Sequence, residues 1–158
     1  MATIVFADNK EGKITKSSFE AVSYANGIGG DTIVVTYGSI EGDGGLGNYG
    51  ADKVLVASGL TNPDSGQIAK IVAQAAEENS AEVVVFSHDH VGRMAAPRVA
   101  VKLDAGIVSG VTALPNTDGG FVVQKNVFSG KAMAHVSVSS EKKVLTVIPN
   151  SVGAKATG

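Results

Sequence analysis

An unbroken apolar run, Val83-Val84-Val85-Phe86, passes directly into Ser87-His88-Asp89-His90-Val91-Gly92-Arg93 and constrains this chain more than any other stretch. β-Branched and aromatic residues without alternation suit a parallel strand covered on both faces. Residues 94–103 then carry helical spacing, so the stretch reads as strand, polar loop and helix. In an open α/β sheet, ligands and partners sit at the loops that follow the carboxyl ends of the strands. The working edge of the molecule is therefore expected at Ser87 to Arg93.

The rest of the chain repeats the alternation. Strands are expected over 3–7, 31–37, 53–57 and 83–86. Asp8 to Gly12 has turn chemistry, and 13–16 reads as an extended link. Ser17 or Ser18 is expected to cap a first helix, with Glu20 in a capping box, and Gly27, Gly29 and Gly30 to stop it. Pro63 and Asp64 open a second helix whose apolar face is Ile68, Ile71, Val72, Ala75 and Ala76. In the third helix, over 94–103, Pro97 fits only near the first turn. Strands alternating with helices imply a mainly parallel sheet with helices on both faces. Residues 107–114, 121–128, 133–138 and 144–148 read as further strands, the first two joined by a hairpin turn over 116–120. They are expected to extend the sheet in antiparallel fashion at its edge. The fold class is thus three-layer α/β, a mostly parallel sheet with antiparallel additions. One domain is expected over 1–149, followed by a linker over 150–158.

Composition excludes several functions. The chain has 158 residues, a formal net charge of −2 and no cysteine. The absence of cysteine removes disulfides, thiolate nucleophiles and Cys-ligated metal centres from this chain. The charge balance and the absence of a Lys/Arg run argue against nucleic acid. No apolar run approaches the ~20 residues of a membrane-spanning helix. The N-terminus lacks the basic region and apolar stretch of a signal peptide, so a cytoplasmic protein is expected.

Each candidate site has a plainer reading beside it. Gly42-Asp43-Gly44-Gly45-Leu46-Gly47 fits G-x-G-x-x-G, but it leads to Asn48-Tyr49-Gly50 and a strand rather than a long helix, which favours a connection over a dinucleotide site. His88 and His90 flank Asp89 as a metal pair would, yet a site needs a third ligand and His135 lies in a distant strand; a solvated polar loop is the plainer reading. No nucleophile partners either histidine. Gly92-Arg93 before a helix offers amides and a guanidinium to an anion or carboxylate; alternatively Arg93 is simply solvated. Arg98 and Lys102, at i and i+4, read as a polar helix stripe. The residues put forward for partner contact are His88, Asp89, His90, Gly92 and Arg93; no catalytic and no metal residue is assigned.

Five collinear stretches resemble the N-terminal domain of the electron transfer flavoprotein α subunit. They are Val5-Phe6-Ala7-Asp8-Asn9 with Gly12-Lys13; Tyr49-Gly50-Ala51-Asp52-Lys53-Val54-Leu55-Val56-Ala57; Gly92-Arg93 with Ala96-Pro97-Arg98-Val99-Ala100 and Lys102-Leu103; Ser109-Gly110-Val111; and Val127-Phe128-Ser129-Gly130-Lys131-Ala132. The resemblance implies a domain related to adenine-nucleotide hydrolases within an αβ heterodimer. That heterodimer carries electrons on FAD from dehydrogenases such as acyl-CoA dehydrogenases to a quinone oxidoreductase or similar acceptor. It implies an electron carrier rather than an enzyme, with FAD held mainly by a C-terminal domain whose motifs are not in this sequence. No tight FAD binding is then expected of this chain alone. Gly110 stands where the family usually has Asp, and Lys131 where it has Asn. The alternative is an independent adenine-nucleotide-binding module of the universal-stress-protein kind, supported by fold-level analogy.

Overall fold

The computed structural model describes residues 2–42, 44–60, 63–118, 120–127, 132–149 and 151. The elements run β1 (Ala2–Phe6), a small hairpin of β2 (Asn9–Lys10) and β3 (Lys13–Ile14), α1 (Lys16–Ile28), β4 (Asp31–Tyr37), β5 (Lys53–Ala57), α2 (Ser65–Glu78), β6 (Val83–Ser87), α3 (His90–Leu103), β7 (Gly106–Val111), β8 (Val122–Val127), β9 (Ala132–Ser137) and β10 (Lys143–Val147). The main sheet has the order β5-β4-β1-β6-β10-β7-β8-β9. The pairs from β5 to β7 are parallel, and the β7–β8 and β8–β9 pairs are antiparallel.

Helices cover both faces, as the fully buried strands require. In β6, Val84 and Phe86 join Ile4, Phe6, Val35 and Val144 beneath α2 and α3. Val83 and Val85 face the other way, with Val5, Val34 and Leu145, against Ala21, Val22 and Ala25 of α1. Three layers result, as the alternation implied. Tyr24 is fully buried on α1 and donates its hydroxyl to Ala113 O at 2.9 Å, fixing that helix to the segment after β7.

Four expectations are corrected. First, β7 and β10 are parallel, and β10 lies inside the sheet between β6 and β7 rather than at its edge. Only β8 and β9 form the antiparallel extension. Strand order is set by long-range pairing, which local pattern does not encode. Second, α1 starts at Lys16 after Thr15, so Ser17 and Ser18 lie within its first turn and Glu20 does not complete a capping box. The Ser18 hydroxyl accepts from Asp8 N at 2.9 Å instead, tying the helix to the end of β1. Gly27 is helical, and α1 ends at Gly29, φ 100°. Third, the link over 13–16 contains β3, paired with β2. Fourth, α3 begins at His90, so Pro97 sits midway along it. Proline there removes one helical N–H; the carbonyl left over is that of Arg93, an exposed residue that water can reach.

Asp64 opens α2 as expected and also caps it: its carboxylate accepts from Gln67 N at 2.8 Å while Gln67 Oε1 accepts from Asp64 N at 3.0 Å. The expected motif residues Asp43, Gly119 and Phe128 to Lys131, and the linker over 150–158 apart from Ser151, lie outside the described residues.

Candidate functional site

Chain direction across the sheet reverses between β1 and β6. β1 leads through α1 to β4 on one side; β6 leads through α3 to β7 on the other. Such a switch point opens a crevice at the carboxyl ends of the strands, where ligands of open α/β sheets bind. Here side chains from its two sides meet. Asp89, first residue after a half-buried His88, has extended backbone and caps α3: Oδ1 accepts from Gly92 N at 2.8 Å. Oδ2 takes a long contact of 3.5 Å from the Ser17 hydroxyl at the start of α1. The Asp89 carbonyl accepts from Arg93 N at 2.9 Å and from Arg93 Nε at 3.3 Å.

The stretch expected to be a loop is therefore mostly the first turn of a helix, and its residues divide. Gly92 is buried, and a Cβ there would stand 1.8 Å from Ser87 O. Only glycine lets α3 come this close to β6. The amide expected to offer itself to an anion already binds Asp89. His88 is half-buried: its amide donates to Val147 O at 2.7 Å and its Nδ1 lies 2.8 Å from Thr146 Oγ1. Burial, then the charges of Arg93 and Lys125, hold the His88 imidazole below its ordinary value, outweighing Asp89. His90 and Arg93 are exposed. His135 lies on edge strand β9, and among the described residues no group of three or more His, Asp or Glu could hold a metal ion.

The outward side of α3 was not foreseen. Its buried positions are Gly92, Ala95, Ala96, Val99, Ala100 and Leu103. At 3.6 residues per turn the opposite line is His90, Met94, Pro97 and Val101. Met94 is 49% and Val101 82% exposed, with Arg93, Arg98 and Lys102 on the flanks. A surface helix normally turns polar residues outward; the apolar apex between basic flanks is the sequence signal that the expected polar stripe concealed.

A second feature lies at the carboxyl ends of β1 and β4. An open cleft of about 750 Å³ is lined by Asp8, Asn9, Gly12, Tyr37, Ser39 and Leu60, among others. Its polar groups are tied together. Tyr37 donates its hydroxyl to Asp8 Oδ1 at 2.7 Å, and Asn9 Nδ2 donates to Tyr37 O at 2.7 Å. Burial, then the hydrogen bond and charge of Asp8, push the Tyr37 phenol up to about 12.

The N-termini of α2 and α3 do not fit a flavin diphosphate. α2 and α3 each open on an aspartate that takes the amide of the third helical residue and would repel a pyrophosphate there. The glycine segment leads into a short 3₁₀ turn, Leu46–Tyr49, whose Asn48 N donates back to Gly45 O.

Comparison with known proteins agrees with the architecture. Residues 3–158 match the electron transfer flavoprotein domain family, and the chain belongs to that family. It is 28% identical to the electron transfer flavoprotein subunit alpha of Bacillus subtilis (strain 168), over 96% of this chain and 48% of that protein. It is 32% identical to the subunit of the same name from Syntrophomonas wolfei, over 93% of this chain and 48% of that protein. Protein FixB of Clostridium saccharobutylicum is 26% identical over 91% of this chain and 46% of its own length. The chain thus spans about half the length of the curated relatives it matches.

Proposed function

We propose that this domain is the scaffold of an electron transfer flavoprotein α subunit and docks a β subunit, while FAD is held mainly by a C-terminal domain outside this sequence. The observation that carries the reading is the extent of the match. The family model covers residues 3–158, whereas this chain matches only about half the length of the named α subunits. The occupied switch point supports it: Asp89 takes up the amide that a nucleotide phosphate would need. This weighs against a free-standing adenine-nucleotide module.

In this reading the whole heterodimer carries electrons on FAD from dehydrogenases, such as acyl-CoA dehydrogenases, to a quinone oxidoreductase or similar acceptor. The domain works in the cytoplasm as part of an electron carrier and performs no bond-breaking chemistry itself. Among the described residues, no helix is long and apolar enough to cross a membrane. Partner contact runs through the exposed members of the expected set, His90 and Arg93, and continues along Met94 and Val101. His88, Asp89 and Gly92 hold that surface in shape. The test is titration of this chain with its cognate β subunit by calorimetry. Replacing Arg93 and Val101 together by Glu should weaken binding at least tenfold; unchanged affinity refutes this placement of the contact.

A further inference from the structure

The parallel sheet gives way to its antiparallel extension at an irregularity in β7. Register runs Leu145↔Val108 and then Val147↔Val111, so Ser109 and Gly110 together oppose the single residue Thr146. This is a β-bulge, which leaves one residue outside the ladder and bends its strand. Gly110 adopts φ +78°, a conformation glycine takes without strain. Its amide donates to the Thr146 hydroxyl at 2.8 Å. Thr146 is fully buried, and the same hydroxyl lies 2.8 Å from His88 Nδ1.

Proton accounting orders this chain of bonds. A hydroxyl has one proton and accepts through its oxygen. Thr146 accepts from Gly110 through one of its two lone pairs, and its own proton can be given to His88 Nδ1. That arrangement satisfies Gly110 N, the Thr146 hydroxyl and His88 Nδ1 when the imidazole is neutral and carries its proton on Nε2. A protonated His88 presents a second N–H to the same oxygen, which must take it on its other lone pair and turn its own buried proton away from His88. Unpaired buried polar groups are costly, so the bulge is held less firmly. What lies beyond it is the base of the extension: Thr112 N donates to Gln124 O at 3.0 Å, Val111 pairs with Lys125, and Ile148 N donates to Val111 O at 3.0 Å.

We propose that His88, Thr146 and Gly110 form a proton-operated latch that holds the β7 bulge, and with it the base of the β8–β9 extension, while His88 is neutral. The charged groups bearing on His88 are Arg93 from α3 and Lys125 from β8, which oppose its protonation, and Asp89 beside it, which favours it. β10 and β7 face it with the neutral Thr146 and Gly110. The latch does not depend on the partner reading above.

The experiment is an NMR pH titration of the isotope-labelled full chain. At neutral pH the imidazole nitrogens should report the Nε2–H form. Below pH ~6.5 the Gly110 amide should shift with the His88 midpoint, and exchange of the Thr112 amide, corrected for intrinsic pH dependence, should rise several-fold. His88→Gln should leave the Gly110 amide insensitive to pH. Thr146→Val should uncouple Gly110 from His88, and Thr146→Ser should preserve the coupling; if the valine variant does not fold, the other two variants carry the test. An Nδ1–H imidazole at neutral pH, or a Gly110 amide that ignores the His88 titration, overturns the latch. Unchanged coupling in Thr146→Val does so too.

Discussion

Gly92→Ala adds one methyl group and should cost far more than its size suggests. The new Cβ would stand 1.8 Å from Ser87 O, where ordinary contact begins near 3.4 Å. The obstacle is backbone in a fully buried strand, so no rotamer change relieves it; α3 or β6 has to move. α3 is seated through Ala95, Ala96, Val99 and Leu103, all buried, and its first turn is held by the Asp89 cap. Lifting that turn strains the cap and opens space beneath the helix together. Overpacking of a core costs ~1–3 kcal/mol, and a rigid obstacle places this case at the top of that range. One kcal/mol moves Tm by about 2–4 °C in a domain of this length, so thermal unfolding followed by circular dichroism should show a loss of roughly 6–12 °C. Gly59→Ala is the control, because nothing lies within 4 Å of its added methyl; it should stay within about 0.5 kcal/mol of the parent. A Gly92→Ala variant as stable as that control refutes the close-approach argument.

Three further outcomes follow from the same geometry. Asp89→Ala should lose about 1 kcal/mol in urea unfolding while Asp89→Asn keeps most of it, since either Asp or Asn can accept from Gly92 N; an Asp89→Ala variant as stable as the parent would show that the cap contributes nothing. The Tyr37 phenol should ionise near pH 12 in an ultraviolet titration, and Tyr37→Phe should remove that transition. Its raised folded value means that the stability it contributes is intact below the unfolded value near 10 and is lost as pH climbs through 12; a profile flat over that window contradicts this. His88 has the opposite sign. Its lowered folded value makes stability complete above the unfolded value near 6.5 and progressively lost as pH falls through the folded value. His88→Gln should flatten this acid limb in thermal scans, and an identical limb in the variant would assign it to other groups.

How far the sequence could be read depends on the range of the interaction that decided each feature. The apolar run at 83–86, the Asp64 cap with Gln67 three residues on, and the period of α2 are local, and they are legible as such. The start of α3 is local too, but its signals conflict. Asp89 is a good N-cap, yet glycine at the third helical position and Pro97 further on both weigh against a helix. Tertiary contact decides the matter, because the glycine is required by Ser87 and the proline turns its missing donor outward. β10 entered the sheet by pairing with β6 and β7; its nearly unbroken apolar run suits an inner strand as 83–86 does, but which strands it pairs with is set by long-range contact. The bond from His88 to Thr146 spans 58 residues of chain, and Tyr37 reaches back across 29 residues to Asp8. Neither leaves a mark in any short window. The partner-contact set mixed two kinds of residue, because a run of polar types does not show which side chains are spent on the fold.

The docking role proposed for this chain is separable from the flavin site. The most direct measurement is size-exclusion chromatography of the chain with its cognate β subunit, with and without FAD, followed by a flavin absorbance scan of each peak. The account predicts a 1:1 complex, and no flavin in the peak of the chain alone. Flavin retained by the chain alone, or no association with the β subunit in either condition, would contradict it.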